Sequence, residues 1–221
     1  MIMKTKLGIT VLLAGCVTTG ANGTSSPPEQ TEAAAITAPA DHSAEAGTLV
    51  ISGRNFLMGG KFTEAVALLE KAHSLQPANI EACFFLSSAY VELKRYGEAL
   101  PMLEDLLLKL PDNPMVKNNL AWSLLHTKEK SGQNPARAIK LARTALLAVP
   151  SDSDYAASIW NTLGEAYYAA GRFDKALQAA QSGLSLNLLA GVTNSPCREL
   201  VSRSRKAASA ASLDDGDSKR P

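Results

Sequence analysis

The sequence predicts an all-α solenoid of about four helix-turn-helix repeats, closed by a C-terminal capping helix. Three observations carry this expectation. The stretches "GGKFTEAVALLEKAHSLQP" (Gly59 to Pro77), "LKRYGEALPMLEDLLLKLP" (Leu93 to Pro111) and "AAGRFDKALQAAQSGLSLN" (Ala169 to Asn187) share one pattern, and Pro77 to Pro111 is a shift of 34 residues. Each has an aromatic three residues ahead of a small residue, at Phe62/Ala65, Tyr96/Ala99 and Phe173/Ala176. Bulky apolar residues recur three and four apart, which puts them on one stripe of a helix. One such helix pair cannot bury its apolar face alone, so the copies must stack.

The elements follow in chain order. Residues 1–15 begin "MIMKTKLGITVLL", with Lys4 and Lys6 ahead of an apolar block too short to span a hydrocarbon core of roughly 30 Å. A basic start, a brief apolar run and small residues before a cut point read as an export signal. Leu13-Ala14-Gly15-Cys16 resembles the lipobox of bacterial lipoproteins, which implies that Cys16 is lipidated, with palmitate as an expected label, and becomes the mature N-terminus. Several acyl chains on one residue would anchor the protein stably, since each buried CH₂ is worth about 0.8 kcal/mol. In that family an Asp after the cysteine retains the protein at the inner membrane. Val17 stands there instead, so the expected location is the periplasmic face of the outer membrane.

From 16 to 45 the chain has almost no large apolar side chains and reads as a lipidated cysteine followed by a disordered tether. The repeat domain is expected over 46–188. Its upstream helices carry a second pattern: "WNTLGEAYYAAGRF" supplies Trp160, Leu163, Gly164 and Tyr167, matched by Cys83, Leu86, Ser87 and Tyr90 and by Lys117, Leu120, Ala121 and Leu124. A degenerate first copy has Leu49, Gly53 and Phe56. This W-x₂-L-G-x₂-Y spacing resembles the tetratricopeptide repeat family, here in four copies. The resemblance implies that Gly53, Ser87, Ala121 and Gly164 of each first helix lie close against Ala65, Ala99, Ala138 and Ala176 of each second helix.

Two insertions depart from the pattern. Lys128 to Gln133 form a polar turn before Asn134-Pro135 opens a helix, and "SDSDYA" after Pro150 lengthens the start of the fourth first helix. Ser195 as N-cap and Pro196 at the first helical position begin the capping helix, expected over 189–210, with Arg203, Arg205 and Lys206 facing water. Residues 211–221 read as a disordered tail.

Composition narrows the function. A net charge of +1 does not provide the basic surface that nucleic-acid binding needs, and a nucleic-acid partner is not expected. The three histidines, His42, His73 and His126, are scattered, with no metal-ligand spacing and no Gly-rich phosphate loop. No catalytic residue, metal or cofactor is therefore expected. His73 reads as a partner of a helix C-terminus, and Glu98, Glu104 and Asp105 as solubilising charge on helix faces.

Family members bind partners on the concave face formed by successive first helices. The register places Arg54, Leu57 and Met58 there, then Phe84, Ser88, Val91 and Glu92, then Asn118, Asn119, Trp122, Leu125 and His126, then Asn161, Glu165 and Tyr168. Aromatic rings with amides between them suit a protein or peptide ligand, because rings bury area while amides pair with backbone groups. Trp122 and Phe84 could equally be packed beneath neighbouring helices. The set lacks the basic residues with which carboxylate-clamp members hold a peptide C-terminus.

The resulting expectation is a membrane-anchored, non-enzymatic adaptor for assembly of a cell-envelope machine. It is similar to the small tetratricopeptide lipoproteins of pilus and secretion systems, of the type IV pilus pilotin and TadD kinds. A scaffold for peptidoglycan enzymes or outer-membrane protein assembly is the alternative, with a lipid-anchored enzyme more remote. The remaining cysteines, Cys83 and Cys197, fall several helix layers apart, too far for a disulfide, and are expected to stay free.

Overall fold

The computed structural model describes residues 42–217. The signal segment, Cys16 and nearly all of the tether lie outside them, as do residues 218–221. The described chain runs through α1 (Ser43–Met58), α2 (Phe62–Leu75), α3 (Ile80–Glu92), α4 (Tyr96–Lys109), α5 (Pro114–His126), α6 (Pro135–Leu146), α7 (Asp154–Ala169), α8 (Phe173–Leu189) and α9 (Pro196–Asp217). A 3-10 turn at Lys130–Gly132 interrupts the path from α5 to α6.

Each helix packs on the next, and each odd-numbered helix also packs on the next odd one: α1 on α3, α3 on α5, α5 on α7 and α7 on α9. Successive even-numbered helices pack far less on each other. The odd side is therefore the shorter, inner side of a curved stack. This is the all-α tetratricopeptide solenoid, with four helix pairs and α9 added as the final inner helix.

The small positions make the close approaches. Ala65, Ala99, Ala138 and Ala176 have no exposed surface, and Gly53, Ser87, Ala121 and Gly164 are buried with them. A Cβ on Gly53 would lie 2.5 Å from Leu69 Cγ, and one on Gly164 2.7 Å from Leu200 Cδ2, so only glycine fits without displacing a leucine. Leu69, Leu103, Leu106 and Leu120 fill the layer between helices and are fully buried. Burial of each contributes about 1.5–3 kcal/mol.

Local chemistry sets the helix ends. Asn79, Asn113, Asn134 and Ser153 cap α3, α5, α6 and α7 by accepting from backbone N–H groups of the first turn. Ser195 Oγ accepts from Cys197 N at 3.2 Å at the start of α9, as its place before Pro196 predicts. Three inner helices end on the same left-handed residue: Gly60 (φ 73°), Lys94 (φ 59°) and Gly171 (φ 70°). In each case the following N–H reaches back five residues, from Lys61 to Phe56, Arg95 to Tyr90 and Arg172 to Tyr167. This is the Schellman turn that reverses a helix in a few residues. The third pair uses the inserted segment instead, closed by Asn134 N donating to Leu124 O at 3.1 Å.

Four expectations are corrected. Helix α1 begins at Ser43, inside the segment assigned to the tether, because its first turn packs Ala46 fully into the core. Helix α9 continues to Asp217, past the expected end of the cap at 210. Arg203 is half-buried and paired rather than simply facing water, and Glu104 is not merely solubilising. Arg203 pairs with Glu165 on α7, and the Arg137 guanidinium of α6 grips the Glu104 carboxylate of α4 in a bidentate pair.

Candidate concave interaction face

The inner face is a row of seams between odd helices, and polar side chains bridge three of the four. At the first, Arg54 of α1 lies 3.6 Å from Glu81 of α3, with its guanidinium 6.0 Å from the centre of the Phe85 ring. At the second, Asn119 Nδ2 of α5 donates to Ser88 Oγ of α3 at 3.1 Å, while Ser88 donates to the Phe84 carbonyl. At the last, Arg203 of α9 meets both the Glu165 carboxylate and the Tyr168 ring, 4.9 Å from its centre.

Between α3 and α5 the face is aromatic. Trp122 stacks on His126 with ring centres 4.0 Å apart, and its Nε1 donates to the Tyr96 hydroxyl at 3.4 Å. His126 Nδ1 lies 2.9 Å from the Trp122 carbonyl. A carbonyl only accepts, so Nδ1 is the donor. Phe84 packs edge-on against Phe85 at 5.3 Å.

Trp122, Phe84, Leu57, Val91 and Leu125 are all half-buried. Phe84 packs against the buried core, while Trp122 is held by His126 and Tyr96. Met58 is exposed at the first repeat. Asn118 is half-buried, with its Oδ1 sealed from solvent and unpaired.

Glu92 stands apart from the other charges. Its side chain is exposed, yet desolvation by the surrounding wall raises its carboxyl above the ordinary value. On a concave surface, water reaches a group from one side while protein mass surrounds it on the others, which disfavours the charged form. Glu92 makes no hydrogen bond or ion pair among the described residues.

The fourth repeat presents less of its candidate set. Asn161 Oδ1 lies 3.6 Å from Cys197 Sγ, and Glu165 and Tyr168 are occupied by Arg203. All three are engaged where α9 docks. Sequence reasoning did not reach this contact, because α9 follows the fourth copy without the spacing of a fifth. The signal available was Arg203 itself, a cation one turn beyond the apolar Leu200 of the cap.

Among the described residues no other cluster offers chemistry. Cys83 and Cys197 are free, buried thiols, both pushed up by desolvation, and Cys83 Sγ sits 3.5 Å from His73 Nδ1 in the last turn of α2. A raised thiol pKa disfavours the thiolate that nucleophilic chemistry requires. No three described His, Cys, Asp or Glu side chains are arranged to hold a metal ion, and no described helix is long and apolar enough to cross a membrane. Two recesses, one lined by Gly171 to Lys175 with Ala208 and Ala211 and one between Asp152 and Leu189, contain none of the candidate interaction residues.

Comparisons with known proteins agree with this geometry. Tetratricopeptide repeat families match residues 56–123 and 157–188. Among solved structures the chain is similar to a mutant of MamA, at 21% identity and a TM-score of 0.57, covering 76% of this chain and 91% of that one. It is also similar to TTC0263, a thermophilic TPR protein of Thermus thermophilus, at 17% identity and a TM-score of 0.53, covering 74% and 98%. MamA from Desulfovibrio magneticus RS-1 gives 19% identity and a TM-score of 0.50, covering 70% and 80%. These identities speak for the fold. Comparison with curated proteins finds no match. The chain carries tetratricopeptide repeats and has the architecture of a protein-interaction scaffold.

Proposed function

We propose that this protein is a lipid-anchored adaptor of the bacterial cell envelope, held at the periplasmic face of the outer membrane, whose concave face captures another protein during assembly of a pilus or secretion machine. The observation that carries the reading is one chain order: Lys4, Lys6 and an apolar run ending in Leu13-Ala14-Gly15-Cys16, then a polar stretch, then a protein-interaction solenoid. An anchor followed by a spacer of some thirty residues holds a scaffold on the order of 30 Å from a membrane, the reach of a flexible chain. Val17 after the cysteine supports release to the outer membrane. An open aromatic face with amides supports a protein ligand rather than a small molecule.

Metabolic labelling with palmitate tests the anchor. Wild type takes up label and Cys16→Ser does not; equal label in the two overturns it. A photoreactive side chain at Met58, crosslinked in intact cells and read by mass spectrometry, tests the partner. Recovery of pilin, secretin or assembly-ATPase components supports the assignment, whereas recovery of peptidoglycan hydrolases or barrel-assembly components replaces it.

A further inference from the structure

We infer that the concave face selects a partner segment presenting a lysine or arginine, which Glu92 holds beside the Trp122–His126 stack; this rests on the reading of that face as the partner-binding surface.

Position comes first. Ser88 and Asn119 bridge α3 and α5 on the inner face. Glu92 follows Ser88 by four residues and Trp122 follows Asn119 by three, so each lies one turn further along the same face of its helix. The bridge thus forms a floor, with a carboxylate on one wall and an indole stacked on an imidazole on the other.

Charge then decides what fits. Of the other ionic side chains assigned to this face, Arg54 is neutralised by Glu81 and Glu165 by Arg203. Glu92 has no such partner, so the centre of the face carries an uncompensated negative charge. A cation placed there gains a charge-assisted pair with the carboxylate. An acidic segment meets repulsion and leaves Glu92 desolvated and unpaired. Because burial already raises the Glu92 carboxyl, its charge is under-solvated in the free protein, and a partner cation recovers more there than on an open surface. The half-buried Phe84 and the exposed Met58 supply apolar surface on the same side, which suits a basic residue flanked by apolar ones.

The test uses the full-length protein and a positional-scanning library of short fluorescein-labelled peptides read by anisotropy. Sub-libraries with Lys or Arg fixed at one position are expected to bind about tenfold more tightly than those with Glu fixed, a difference that shrinks as salt is added. Glu92→Gln removes the preference without lowering the thermal midpoint, Glu92→Lys reverses it, and Glu64→Gln, an exposed carboxylate change on α2, leaves it intact. A preference that survives Glu92→Gln, or binding with no basic preference, overturns the role of Glu92 alone. Failure of every sub-library to bind overturns the partner-binding reading of the face as well.

Discussion

Trp122 on α5 and Tyr96 on α4 are joined by a hydrogen bond from indole to hydroxyl, so one side chain serves both the seam between repeats and the open inner face. The two roles are separable by substitution. Trp122→Phe keeps most of the ring and loses the bond, at a cost of about 1 kcal/mol. Trp122→Ala also loses the stack on His126 and opens a gap between α4 and α5, costing about 3 kcal/mol. Urea unfolding of the two variants checks the order. An alanine variant as stable as wild type would show that the indole contributes nothing to the seam.

Lys94 occupies a left-handed position that Gly60 and Gly171 fill in the first and fourth repeats. A Cβ there costs roughly 1–2 kcal/mol, partly offset by the greater freedom of glycine in the unfolded chain. Lys94→Gly is expected to raise stability by about 0.5–1 kcal/mol, seen as a higher thermal midpoint. Lys94→Ala gives no comparable gain.

Two glycines in helices predict opposite effects. A Cβ on Gly183 would lie 2.8 Å from Cys197 Sγ, 3.1 Å from Trp160 Cβ and 3.2 Å from the Ala157 carbonyl oxygen. Gly183→Ala therefore forces α8 away from α7 and α9, at about 1–3 kcal/mol. Gly97, in the first turn of α4, has nothing within 4 Å. Gly97→Ala gains up to about 1 kcal/mol of helix propensity. Shifts of the same sign in calorimetry would contradict the packing described.

High pH weakens the fold through two tyrosines. Tyr90 is pushed up to about 12 by burial first, with the hydrogen bond and charge of Glu70 adding to it, and Tyr155 reaches about 12 through burial alone. The unfolded chain ionises first, near the ordinary value of about 10. The stability these groups confer is fully present below about pH 10 and is lost as pH rises through about 12, on the order of 1–2 kcal/mol each after allowance for solvent screening. Urea titrations across that window are expected to show the decline, and Tyr90→Phe with Tyr155→Phe to flatten it.

The repeats were legible because their determinants are local in sequence. Ala65, Ala99 and Ala176 each follow an aromatic by three residues, and they and Ala138 are all buried, as the repeat resemblance implied. The Ser195 cap and the helix start at Asn134-Pro135 were equally readable, since each is set by the few residues after it. Arg203 was not. Its exposure depends on how α9 docks against α7, a relation between segments that share no periodic pattern. The Glu104–Arg137 bridge between two outer helices was hidden for the same reason, because the insertion before Asn134 breaks the count that would align them. The electrostatics of the inner helices were not readable, since which of their charges are neutralised depends on pairings across helices.

The stacking in which each helix touches only the next one or two along the chain has a kinetic consequence. Most contacts close a short loop, so little chain entropy is lost before they form, and the collapse is rapid for a protein of this size. The same locality means that no long-range tie holds the ends. Amide exchange is expected to be fastest in α1 and α9 and slowest in α3 to α6, with the array fraying inward one helix pair at a time rather than opening at once.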